Sequence, residues 1–126
     1  MIKEIKERWV EALRSGKYQQ GSGYLLKDDK YCCLGVLCEL AVEDRIISKD
    51  TEVERNIDSE KSIITLFGDN SEWRTAFLPK KVANWSCLFE TNFNYNGTNK
   101  DLITLNDDGV PFTTIADLIE KNFNEL

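Results

Sequence analysis

Tyr31-Cys32-Cys33-Leu34-Gly35-Val36-Leu37-Cys38-Glu39-Leu40 gathers three of the four cysteines of the chain into one apolar run. Its two halves follow different periods. Lys30-Tyr31-Cys32 matches Tyr24-Leu25-Leu26 across Lys27-Asp28-Asp29, which predicts a β-hairpin. From Cys33 onward, Leu34, Leu37, Cys38, Leu40 and Ala41 fall on one broad helical face. The run therefore predicts a strand that turns directly into a buried helix from about residue 33 to 44. Gly35 within it is small enough to admit a neighbouring element.

On the N-terminal side, Ile2, Ile5, Trp9, Ala12 and Leu13 recur at helical spacing and Gly16 ends the pattern, so an amphipathic helix precedes the hairpin. Gly21 and Gly23 mark the linker between them as a place for unusual backbone angles or close approach. On the C-terminal side, Lys49 to Asn56 is charged and weakly patterned and reads as a surface loop. Ser62 to Phe67 is rich in β-branched residues and reads as a strand, with Trp73 to Phe77 as its partner. Leu78-Pro79 opens a short helix through Trp85, Cys87 to Phe93 reads as a further strand, and Asn96-Gly97 is a hairpin turn dipeptide. Asn106-Asp107-Asp108-Gly109 reads as a polar turn, after which Pro111 begins a helix carrying Phe112, Ile115, Ala116, Ile119 and Phe123 on one face. The expected fold is one α+β domain over residues 1–126, with three to four helices around a small, mainly antiparallel sheet.

Composition narrows the chemistry. The 126 residues are 41% hydrophobic and 30% charged, a globular balance, and 22 acidic against 16 basic residues give a formal charge of −6. Such a surface repels polyanions, so no nucleic-acid polymer is expected as a partner. The first residues alternate charges without the apolar core of a signal peptide, and no run is long and apolar enough for a bilayer. The expected setting is the cytoplasm, where the four thiols stay reduced and no membrane is engaged. The sequence contains no histidine. This removes Ser-His-Asp triads, Cys-His dyads and every imidazole metal site, leaving carboxylates, Lys, Tyr and thiols.

Several phrases carry a resemblance: Trp9-Val10-Glu11-Ala12-Leu13-Arg14-Ser15-Gly16, Gln20-Gly21-Ser22-Gly23, the run from Tyr31 to Leu40, Leu78-Pro79 with Val82 and Trp85, and Leu105-Asn106-Asp107-Asp108-Gly109 with Phe112, Ile115 and Ala116. Together they resemble a family of small proteins found mainly in tailed bacteriophages and prophages. The resemblance implies an origin and not an activity, since no catalytic residue of that family is established to carry across. It does favour an accessory role against host defence, in the host cytoplasm.

The candidate site is drawn from Gln20, Gly21, Gly23, Tyr31, Cys32, Cys33, Asn106 and Asp107, polar or small residues beside segments that must pack together. Their amides and carboxylates suit the hydroxyls or base edge of a nucleotide. Backbone N–H groups at Cys33 and Leu34 suit an anion, with Lys17, Lys27 or Lys30 supplying charge. The same residues also serve capping and turn formation. A helix start can lower a thiol pKa, which keeps a histidine-free hydrolase using Cys33 or Asp107 among the alternatives. The Asp107-Asp108 pair lacks the spaced oxygens of a calcium loop, and the cysteines lack two zinc knuckles, so neither a metal nor a cofactor is expected. The first functional expectation is a non-catalytic protein that sequesters a small nucleotide-derived immune signal, with a homo-oligomer completing the pocket. Its alternative is an acidic inhibitor of a host defence protein, for which carboxylates gathered on one face would be the mark.

Overall fold

The computed structural model describes residues 1–55 and 60–123. Helix α1 spans Lys3–Arg14 and buries Ile5, Trp9, Val10 and Leu13, with Gly16 in the left-handed region beyond its end. Three two-residue strands follow: β1 at Gln19–Gln20, β2 at Leu26–Lys27 and β3 at Lys30–Tyr31. Asp28 and Asp29 both take positive φ, the two-residue turn geometry that matches strand twist in a hairpin.

Helix α2 then covers Cys33–Glu43. Cys33, Leu34, Val36, Leu37, Cys38 and Ala41 are almost fully buried, so the helix is apolar nearly all round rather than on one face. Its start is capped by the Cys32 thiol, which accepts from Gly35 N at 3.3 Å. Its end closes with Arg45 at positive φ, Arg45 N donating to Val42 O and Ile46 N to Ala41 O, a double bond pattern usually built on glycine. Gly35 lets the hairpin lie directly on the helix: a Cβ there would sit 1.8 Å from Leu25 O.

Strands β4 at Ser48–Arg55 and β5 at Lys61–Asp69 form a long hairpin, and β6 at Glu72–Arg74 pairs back on β5. The segment from Lys49 thus corrects the surface-loop expectation, as far as Arg55; Asn56 lies outside the described residues. Every β4 residue is exposed, so the strand carries no apolar alternation and owes its form to the ladder with β5. The sheet order is β1-β3-β2-β5-β4, antiparallel except for β1 beside β3.

Helix α3 spans Lys80–Ser86 behind Pro79. The expected strand from Cys87 begins only at Asn92, because Cys87 sits at φ 56° and turns the chain out of α3. Strands β7, Asn92–Tyr95, and β8, Thr98–Asp101, pair around Asn96-Gly97, both at positive φ. Among the described residues, five helices stand where three to four were expected. The addition is α4 at Leu102–Asp107, capped by Asp101, whose Oδ1 accepts from Ile103 N at 2.8 Å. Asn106 and Asp107 therefore belong to a helix, and the turn begins after them. Burial of Leu102, Leu105 and Asn106 at helical spacing explains the difference.

Helix α5, Phe112–Asn122, packs along α1. Lys6 is buried between them and gives its ammonium to the carbonyls of Glu120 and Phe123, a cation at a helix C-terminus. Arg14 reaches Asp117 and Glu120 on the outside.

Candidate functional site

The residues singled out from the sequence do converge, on the start of α2. Gln20, at the end of β1, directs its amide at the junction of α4 and α5. Its Nε2 donates to Asn106 Oδ1 at 3.0 Å and Val110 O at 2.8 Å, and its Oε1 accepts from Phe112 N at 3.0 Å. Asn106, 2% exposed, is the hub. Its Oδ1 also accepts from Cys33 N at 3.2 Å, and its Nδ2 donates to Gly21 O at 2.8 Å. Gly21 N donates to Tyr31 O at 2.7 Å, and Gly23 N to Asp107 Oδ1 at 3.0 Å. One closed set of bonds thus ties the linker, β3, α2, α4 and α5 together.

This closure sets what the cluster can do. The Cys33 N–H, expected to face an anion, already has the Asn106 oxygen as its partner, and Gly35 N has the Cys32 sulfur. Cys32, Cys33 and Leu34 are each at most 3% exposed. The cations drawn with them go elsewhere: Lys17 lies over the Tyr18 ring and Lys27 over the Tyr24 ring. Lys27 and Lys30 do line an open cleft of about 410 Å³ beside Gln20, Gly21 and Ser22, on the outer side of the linker.

The thiols are core groups. Burial pushes the Cys32 thiol up to about 11 despite the bonds it accepts from Gly35 and Leu34. Burial likewise drives Cys33 and Cys38 well above the ordinary thiol value. Cys33 Sγ donates to Leu102 O at 3.8 Å. A helix start thus fails to activate Cys33, because desolvation of the thiolate outweighs the helix dipole. Tyr31 meets Tyr18 edge to face at 5.1 Å and donates to Glu39 at 3.2 Å; burial and that carboxylate raise its pKa.

Two features lay beyond the sequence reading. Trp9 Nε1 donates to Cys33 O at 2.8 Å inside the core, joining α1 to the start of α2. The second is a groove of about 480 Å³ between α3 and α4. Phe77 and Phe89 stand on its rim 63% and 72% exposed, and Leu34, Leu88 and Ile103 line it. Among the described residues, Asp101 is the charged one that lines it; Thr91 Oγ1 donates to Asp101 Oδ2 at 2.5 Å. The signal available was the pair of apolar steps Phe77-Leu78 and Leu88-Phe89 flanking a short helix. Reading Cys87 to Phe93 as a strand concealed it.

Among the described residues, no group of three or more Cys, Asp or Glu side chains is placed to hold a metal ion, and no helix is long and apolar enough to cross a membrane. The chain belongs to a family described as a domain of unknown function, DUF8296, whose model matches residues 1–123. No curated protein and no solved structure matches the chain.

Proposed function

We propose that this DUF8296 domain is a phage-type counter-defence protein that works by binding in the host cytoplasm, and that it sequesters a small nucleotide-derived signal by its base. The observation that carries the reading is the pair of exposed aromatic rings, Phe77 and Phe89, on one apolar groove. Isolated exposed phenylalanines are ordinary; two on the rim of a groove whose floor reaches Leu34 offer faces to a planar ring. Base–aromatic stacking contributes about 1–3 kcal/mol per base. Asp101 keeps unused lone pairs after accepting from Thr91 and Ile103, and these suit an exocyclic amino group. With no cation among the described residues that line the groove, the phosphates of such a ligand lie outside it, towards solvent. This moves the expected ligand site from the start of α2 to the far side of Leu34.

The test is a thermal-shift series with nucleosides, cyclic nucleotides and ADP-ribose derivatives. A ligand at a hundred times its Kd adds about 2.7 kcal/mol, or about 10 °C for a chain of this size. Phe89→Ala removes the shift while leaving the unliganded midpoint within a degree or two. Absence of a shift with every compound sinks the small-ligand reading.

A further inference from the structure

We infer that the outer edge of β4 is a docking site for an extended, basic segment of a different protein, which joins the sheet as an added strand. The inference rests on β4 alone and is independent of the groove. β4 ends the sheet order, and its outer edge has no strand partner among the described residues. Its ladder with β5 runs without a bulge from Ser48 opposite Gly68 to Arg55 opposite Lys61, and the strand has no proline. The outward N–H and C=O groups of this exposed strand have no strand partner among the described residues, although the Thr51 N–H is taken locally by Asp50 Oδ1 at 2.8 Å, and such a row is the template used in strand addition.

Charge then selects the occupant. Edge charges commonly guard a sheet against pairing, but here they are sorted by sign. Asp50, Glu52 and Glu54 share one face, spaced about 6.8 Å apart by the strand rise. Their cross-strand neighbours on β5 are Leu66, Ile64 and Ser62, none of them charged. Among the described residues, no Lys or Arg pairs with the three carboxylates; Lys49, on the opposite face, is held by Glu39 at 2.6 Å. An added strand with Lys or Arg at every second position places each cation directly opposite a carboxylate.

A second copy of the chain is a poor occupant. A two-fold antiparallel pairing centred on Thr51 sets Asp50 against Glu52 twice. Centred on Glu52, it sets that residue against itself and Asp50 against Glu54. Centred on Val53, it sets Glu52 against Glu54 twice. Each symmetric register near the middle of the strand thus brings like charges together, which destabilises cross-strand pairs. The other face specifies more: Val53 and Ile63, 59% and 51% exposed, form an apolar spot between Lys49 and Arg55. The complementary antiparallel strand, read in its own direction from opposite Arg55, is acidic, basic, apolar, basic, neutral, basic, acidic.

The test uses the full chain and the end-blocked peptide Glu-Lys-Val-Lys-Thr-Lys-Glu, followed by NMR. Amide signals of residues 48–55 shift on titration, and the affinity falls as salt rises. Replacing the three peptide lysines by Glu weakens binding at least tenfold. Glu52→Lys, at an exposed position, weakens it about tenfold, and Glu52→Gln less, since the first exchanges an attraction for a repulsion. Of two peptides N-methylated at alternate positions, one binds as the parent does and the other does not, because only one set of amides faces β4. No shift at residues 48–55, equal binding of the Glu peptide, or equal binding of both methylated peptides overturns the proposal. Self-association abolished by Glu52→Lys overturns the choice of partner.

Discussion

Replacing Asn106 by Ala tests whether the polar cluster is a structural tie. In the variant, Gln20 Nε2 keeps Val110 O at 2.8 Å and loses one of its two bonds, at a half-buried side chain. The other two losses leave backbone groups unpaired. Cys33 N is in a residue with no exposure and has no water to turn to, and Gly21 O is half-buried. A buried group left unpaired costs about 1–3 kcal/mol, so the two together cost about 2–5 kcal/mol. Against a typical stability of about 5–15 kcal/mol this is a large fraction. With a urea slope of roughly 1.5–2 kcal/mol/M, the unfolding midpoint drops by about 1–3 M. Trp9 is a built-in reporter, since its indole donates to Cys33 O next to the broken bond. Gln20→Ala and the double variant complete a cycle, and the pair should show a coupling of about 0.5–3 kcal/mol. A loss under about 1 kcal/mol in Asn106→Ala, or strict additivity with Gln20→Ala, refutes the tie.

Gly35→Ala should lower stability by about 2–4 kcal/mol, because its Cβ would lie 1.8 Å from Leu25 O and the overpacking outweighs a helix-propensity gain of about 1 kcal/mol; a midpoint equal to or above that of the parent would contradict the close approach. Trp9→Phe leaves Cys33 O without its indole donor and should cost about 1–3 kcal/mol, read as a urea midpoint by circular dichroism. Alkaline pH is a third lever. The buried thiols keep their protons above pH 9.0, where thiols of the unfolded chain ionise, so the folded state binds more protons and stability falls as pH rises. Each thiol contributes a slope of about 1.4 kcal/mol per pH unit, that of Cys32 running from pH 9.0 to about 11. Cys38→Ala should flatten the profile by one thiol's share, and superimposable profiles would exclude this origin.

The elements legible in the sequence are those whose pattern and packing agree. Ile5, Trp9 and Leu13 face the core as their spacing requires, and the change of period at Cys33 marks the start of α2. Strand β4 was illegible because both of its faces are exposed: Asp50, Glu52 and Glu54 look the same in a loop as in a strand held chiefly by its ladder with β5. Helix α4 was hidden for another reason. Asn106-Asp107-Asp108-Gly109 has the composition of a turn, and only the cap from Asp101 and the burial of Asn106 extend the helix into it.

The candidate site shows why convergence and availability are separate questions. Gln20, Gly21, Gly23, Cys33, Asn106 and Asp107 meet as their flanking apolar segments implied, since a cap must join the elements it caps. What the sequence could not state is whether their hydrogen-bonding capacity is left over. Asn106 has two lone pairs and two protons, and three of these four are engaged by protein groups. An amide so occupied binds a ligand only by surrendering bonds that hold β3, α2 and α4 in place. A ligand therefore gains more at surfaces where no such exchange is needed. Two surfaces come nearer that condition: the groove under Phe77 and Phe89, and the outer edge of β4, where an added strand displaces one exposed local bond, from Thr51 N to Asp50 Oδ1, that ties no two elements together.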